Sequence, residues 1–77
     1  MNEMDRLRWN CRRGMLELDL VLTGFLERHY PQLTEPQARM FKELLDYPDI
    51  ELWDMIMDRS EPAEEAMKAV LQLIRTS

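Results

Sequence analysis

The chain has 77 residues, of which 45% are hydrophobic and 32% charged, and carries a formal net charge of −5. A chain this short supports one domain with one small core, spanning residues 1–77, and leaves no room for a separate cofactor domain. A single cysteine excludes an intramolecular disulfide, no apolar run approaches the roughly 20 residues of a membrane span, and a mostly acidic body argues against nucleic acid.

Glycine and proline are sparse, and Leu, Met, Glu, Arg and Ala dominate, which favours helix. The pattern predicts an all-α fold, a compact bundle of about five short helices joined by short loops. The first covers residues 2–12, with Met4, Leu7 and Cys11 on one face. Gly14 ends it or opens the next, and the absence of a Cβ there permits φ > 0 or the close approach of a partner. The second covers residues 15–30. Leu18, Val21, Leu22, Phe25 and Leu26 form its apolar stripe, and Leu16 and Leu20 add a second, which predicts a central, buried helix. Gly24 within it suggests a close helix crossing, and Pro31 ends it.

The third helix opens on a capping box, with Thr34 at the N-cap and Gln37 at the third position, and Leu33 placed to staple onto Ala38. Ala38, Phe41 and Leu45 share a face before Tyr47-Pro48 breaks the helix. Asp49 is expected to cap the fourth, whose inward residues read as Ile50, Trp53, Ile56 and Met57. Ser60 is expected to cap the fifth, with Pro62 in its first turn and Ala63, Met67, Val70 and Ile74 facing inward. Arg75 near its end suits the macrodipole. Leu22, Phe25, Phe41, Trp53, Val70 and Leu71 are the predicted core. The seven methionines read as gap-fillers, except Met15, which is expected to be exposed beside the glycine.

Little here is equipped for chemistry. There is one histidine, His29, and no Cys-x-x-Cys or His-x-x-x-His spacing for a metal. No glycine-rich phosphate loop occurs, and Ser60 and Ser77 have no neighbouring base. Carboxylate pairs such as Glu17 with Asp19 do not face each other on a helix. Cys11 reads as a small apolar residue and not a nucleophile. These features point away from an enzyme. The charge is uneven: residues 1–13 carry Arg6, Arg8, Arg12 and Arg13 against Glu3 and Asp5, a local net of +2, and the remainder is strongly acidic. A dipolar layout of this kind suits oriented docking onto another protein. Taken alone, Glu17 fits the third position of a helix capped by Gly14, and Arg13 fits a weak surface pair with Glu17.

The stretch Trp9-x-Cys11-Arg12-Arg13-Gly14-Met15-x-Glu17-Leu18-Asp19 resembles the signature of the SdhE family, the succinate dehydrogenase assembly factors that promote covalent attachment of FAD. The family's Arg-Gly-x-x-Glu hallmark matches Arg13, Gly14 and Glu17. The resemblance continues through Phe25-Leu26-Glu27-x-x-Tyr30, Phe41-x-x-Leu44-Leu45, Asp49-x-x-Leu52-Trp53 and Leu73-Ile74, with Tyr47-Pro48 in place of a more acidic turn. It implies a non-catalytic assembly factor whose partner is the flavoprotein subunit of succinate dehydrogenase, with the related fumarate reductase as a further candidate. The resemblance implies no stably bound cofactor, since FAD belongs to the partner and joins the partner's own histidine. Arg13, Gly14, Met15 and Glu17 are implied as partner-binding residues, with Arg6, Arg8 and Arg12 steering. A second reading also comes from relatives, some described as antitoxins, and makes the chain a regulatory module for a membrane-associated protein. A small flavin-binding protein ranks last, since no dinucleotide fingerprint occurs. The N-terminus has no apolar core of a signal peptide and carries Glu3 and Asp5, unlike an acidic-poor transit peptide, so a cytoplasmic setting is expected, that of a bacterial protein or else of a mature form.

Overall fold

The computed structural model describes residues 2–76. They form five α-helices: α1 Glu3–Asn10, α2 Leu16–Arg28, α3 Glu35–Leu44, α4 Asp49–Ile56 and α5 Glu65–Thr76, with a 3₁₀ turn at Tyr30–Gln32 and no strand among the described residues. The molecule measures 33 × 27 × 20 Å. Its core contains Leu7 and Cys11 of the first helical segment, Leu18, Leu22, Phe25 and Leu26 of α2, and Met67, Val70, Leu71 and Ile74 of α5; in the third segment Phe41 and Leu45 are buried as predicted, Met40 and Leu44 join them, and Ala38 is only partly buried. The rings of Phe25 and Phe41 meet at 5.2 Å near its centre, flanked by His29 against Phe25 and Tyr30 against Phe41. Each such aromatic pair adds about 0.5–1.5 kcal/mol beyond its burial.

Local chemistry explains the helix ends. Asn2 caps α1 by accepting the Asp5 N–H at 2.9 Å. The capping box of α3 forms as expected, with Thr34 Oγ1 accepting from the Gln37 N–H and Gln37 Oε1 accepting from the Thr34 N–H. Pro31 has no N–H to continue the α ladder, so the chain tightens into the 3₁₀ turn and α2 ends at Arg28 instead of residue 30.

Several expectations need correction. Leu16 and Leu20 are 66% and 63% exposed, so α2 buries one stripe only and is not enclosed. Gly24 sits at no helix crossing; a Cβ there would meet only the tip of the Arg28 side chain. In α4 the buried residues are Leu52, Met55 and Ile56; Ile50 and Met57 face solvent, and Trp53 packs at the edge of the core. Both faces of that helix are apolar, so periodicity alone did not choose between them. Pro48 occupies the N-cap position of α4 and Asp49 is its first residue. Finally, α5 begins at Glu65, and Ser60 to Glu64 remain a loop in which Ala63 is exposed. The residue before a proline disfavours helix, which holds Glu61 outside it. Arg75 reaches past its own helix: its guanidinium donates to the carbonyls of Ile56 and Met55, each at 2.6 Å, and so closes the end of α4. The chain turns there through Asp58 in the left-handed region, φ 61°.

Candidate docking surface

The turn between α1 and α2 is held by contacts that reach far along the chain. Cys11 donates its N–H to the Leu7 carbonyl at 2.9 Å and its side chain is fully buried. Burial pushes its thiol up from 9.0 to about 11; the Arg13 charge opposes the rise and the Asp19 charge adds to it. Arg12 closes a tight turn onto the Trp9 carbonyl, and its guanidinium lies 5.8 Å from the Trp9 ring centroid, a cation–π contact.

Arg13 folds inward. Its side chain is 11% exposed. Nη1 donates to the Tyr47 carbonyl at 3.1 Å and to Asp49 Oδ1 at 3.2 Å, and Nη2 donates to the Leu45 carbonyl. Its backbone N–H donates to Asp19 Oδ2 at 3.0 Å, and the other oxygen of that carboxylate accepts from the Thr23 hydroxyl. A planar guanidinium suits this task, because one rigid fork can satisfy several acceptors in fixed directions. The predicted surface pair with Glu17 does not form; the guanidinium is engaged with the α3–α4 connection instead.

Gly14 follows directly. It is exposed, and its φ is not in the left-handed region, so backbone strain is not what a glycine relieves here. A Cβ at this position would meet only Asp49 Oδ2, at 3.9 Å, and otherwise open space. The bare backbone is therefore accessible from outside. Met15 is the N-cap of α2, in extended conformation and without a side-chain cap bond. It is partly buried and packed against the core, not displayed as expected. Glu17 consequently stands at the second helical position, not the third, and is exposed in the first turn, where a carboxylate favours the helix N-terminus. Arg6, Arg8 and Arg12 are exposed as well, with Arg8 paired to Asp5 at 3.4 Å.

The structure thus gathers Gly14, Glu17 and Arg12 on the outside of one turn and uses Arg13 and Met15 to fix that turn from within. Sequence reasoning missed Asp19 and Asp49 as its supports; their partners lie six and 36 residues away, and local pattern carries no signal for that. It also missed that Trp9 and Ile50, each 69% exposed, and Leu16 remain uncovered. Among the described residues there is no cluster of three or more His, Cys, Asp or Glu able to hold a metal, and no helix is long and apolar enough to cross a membrane. Ser77 lies outside the described residues.

A family model described as flavinator of succinate dehydrogenase matches residues 5–77. The chain is 46% identical over 68 residues to the FAD assembly factor SdhE of Legionella pneumophila (strain Lens), covering 88% of this chain and 86% of that protein. It is 39% identical over 70 residues to the FAD assembly factor SdhE of Coxiella burnetii, covering 91% and 85%. With the same-named protein of Haemophilus ducreyi it shares 38% identity over 79 aligned positions, covering 100% of this chain and 96% of that one. The antitoxin reading finds no support in these matches. A match along nearly the whole length, at 38–46% identity to these relatives, means that the chain belongs to the family of flavinators of succinate dehydrogenase.

Proposed function

We infer that this chain is an FAD assembly factor that binds the flavoprotein subunit of succinate dehydrogenase and promotes its covalent flavinylation. The observation that carries the reading is the α1–α2 turn: an exposed glycine backbone, a carboxylate at Glu17 and a guanidinium at Arg12, braced from beneath by Arg13. Such a turn can hold a partner through charge-assisted hydrogen bonds and close backbone approach. It holds no nucleophile, since the nearby Cys11 thiol is buried and protonated. Docking free energy stabilises the partner in the form competent for flavin attachment, and the covalent chemistry belongs to the partner. The flavoprotein subunit of fumarate reductase is a second client on this reading. FAD stays with the partner, and the setting is the bacterial cytoplasm, whose reducing conditions suit a lone thiol.

The test is co-expression with a succinate dehydrogenase flavoprotein subunit in cells that lack their own factor, with covalent flavin read by in-gel fluorescence. Wild type should restore the signal. Gly14→Arg and Glu17→Ala should lose it while keeping wild-type circular dichroism, because both positions are exposed. Equal flavin signal with and without the chain sinks the reading.

A further inference from the structure

We propose that Trp9, Leu16 and Ile50 are the apolar anchors of this docking surface, and that the flavoprotein subunit receives them in an apolar recess bordered by carboxylates. The proposal rests on the assembly-factor reading and adds residues that the Arg-Gly-x-x-Glu pattern does not contain.

Trp9 and Ile50 are 69% exposed and Leu16 is 66% exposed, in a chain whose other large apolar side chains mostly lie in the core. They come from three different helices, and each lies within three residues, in sequence, of Arg12, Gly14 or Asp49 at the α1–α2 turn and its support. Trp9 is tied to the turn by the Arg12 guanidinium above its ring. Leu16 is the first residue of α2, two positions after Gly14. Ile50 follows Asp49, whose one carboxylate oxygen accepts from Arg13 and whose other lies 3.9 Å from the place of a Gly14 Cβ.

Interface size makes their involvement hard to avoid. A stable complex takes about 800 Å² from each partner, about a sixth of this chain's 5081 Å² surface. A footprint of that area centred on Gly14 covers its immediate neighbours. Composition agrees, because Trp and Arg are enriched among the residues that carry binding energy. Met15, the apolar contact expected beside the glycine, is packed onto the core, which leaves these three as the exposed apolar groups there. Charge then defines the recess. Arg6, Arg8 and Arg12 are exposed, and among the described residues only Arg8 of the three forms an ion pair, with Asp5. A complementary surface therefore supplies carboxylates at its border.

The experiment titrates FAD-free flavoprotein subunit of succinate dehydrogenase with wild type, Trp9→Ala, Ile50→Ser and Leu73→Ser by calorimetry. Leu73 is an exposed leucine on α5 and serves as the comparison. Trp9→Ala should weaken binding about thirtyfold and Ile50→Ser about tenfold, with Leu73→Ser within about twofold of wild type. Thermal melts of all three should stay close to wild type, so that loss of affinity is not loss of fold. Wild-type affinity in both Trp9→Ala and Ile50→Ser overturns the proposal while leaving the assembly-factor reading intact. A wild type that does not bind the flavoprotein takes both down. Light scattering of the free chain adds a further check: a dimer that Trp9→Ala dissolves assigns the surface to a second copy and refutes the proposal.

Discussion

Removing the Asp49 carboxylate tests whether Arg13 is a brace. The pair is 3.2 Å apart, with Arg13 11% and Asp49 32% exposed. Exposed ion pairs contribute about 0–1 kcal/mol, and stripping one partner from a fully buried pair costs about 3–5 kcal/mol. This pair lies between those limits, and Arg13 keeps the Tyr47 and Leu45 carbonyls as acceptors. Asp49→Ala should therefore cost about 1–2 kcal/mol. In a domain of this size each kcal/mol lowers the melting temperature by about 4–8 °C, so the expected drop is about 4–16 °C. Arg13→Ala should cost more, because three side-chain hydrogen bonds and the packing of the alkyl stem go together. Arg13→Lys should recover little of it, since one ammonium cannot span the positions of a fork. The assay is thermal and urea denaturation followed by circular dichroism, with the double variant closing a cycle. The two losses should sum to more than the double variant shows, by about 1 kcal/mol. A melting temperature for Asp49→Ala within about 2 °C of wild type, or strictly additive losses, would refute the brace.

Two further outcomes are expected. The Cys11 thiol titrates near 9.0 when the chain is unfolded and at about 11 in the fold. Between those values the unfolded state binds fewer protons, so stability must fall as pH rises through that window. Cys11→Ala should lack this part of the alkaline loss, and an unchanged slope in urea titrations across the window would contradict it. Gly24→Ala should stabilise the protein by about 0.5–1 kcal/mol, because the added Cβ meets only the movable, exposed end of Arg28 and the helix gains a better former; a lower urea midpoint would show that the glycine is kept for packing.

What the sequence discloses here is set by range. The α2 stripe from Leu18 to Leu26 and the capping box at Thr34 and Gln37 are local patterns, and the structure follows both. The turn at Gly14 was legible as a candidate docking element because a contiguous motif marks it. The role of Arg13 was not, because its acceptors at Leu45, Tyr47 and Asp49 arrive only when the α3–α4 connection packs against the turn. Ile50 and Leu16 were misplaced for a related reason. Each belongs to a helix with apolar residues on more than one face, and only neighbouring helices decide which face is covered. The start of α5 was placed too early, since Ser60 and Pro62 look like a helix opening and the chain spends them on a loop instead.

The Arg75 contacts bear on when the chain can fold during its synthesis. The principal packing partner of α3 is α5, and the carbonyls at the end of α4 find their donors on the last turn of α5. A nascent chain that has emerged only through α4 therefore presents α3 without the helix it packs against most. Small helical domains complete folding in about microseconds to milliseconds, whereas ribosomes add about 5–20 residues per second. Translation, not the folding reaction, sets the time for which α3 lacks that partner. Stalling just before α5 would leave a sticky intermediate, and release of α5 would let the whole fold close in one step.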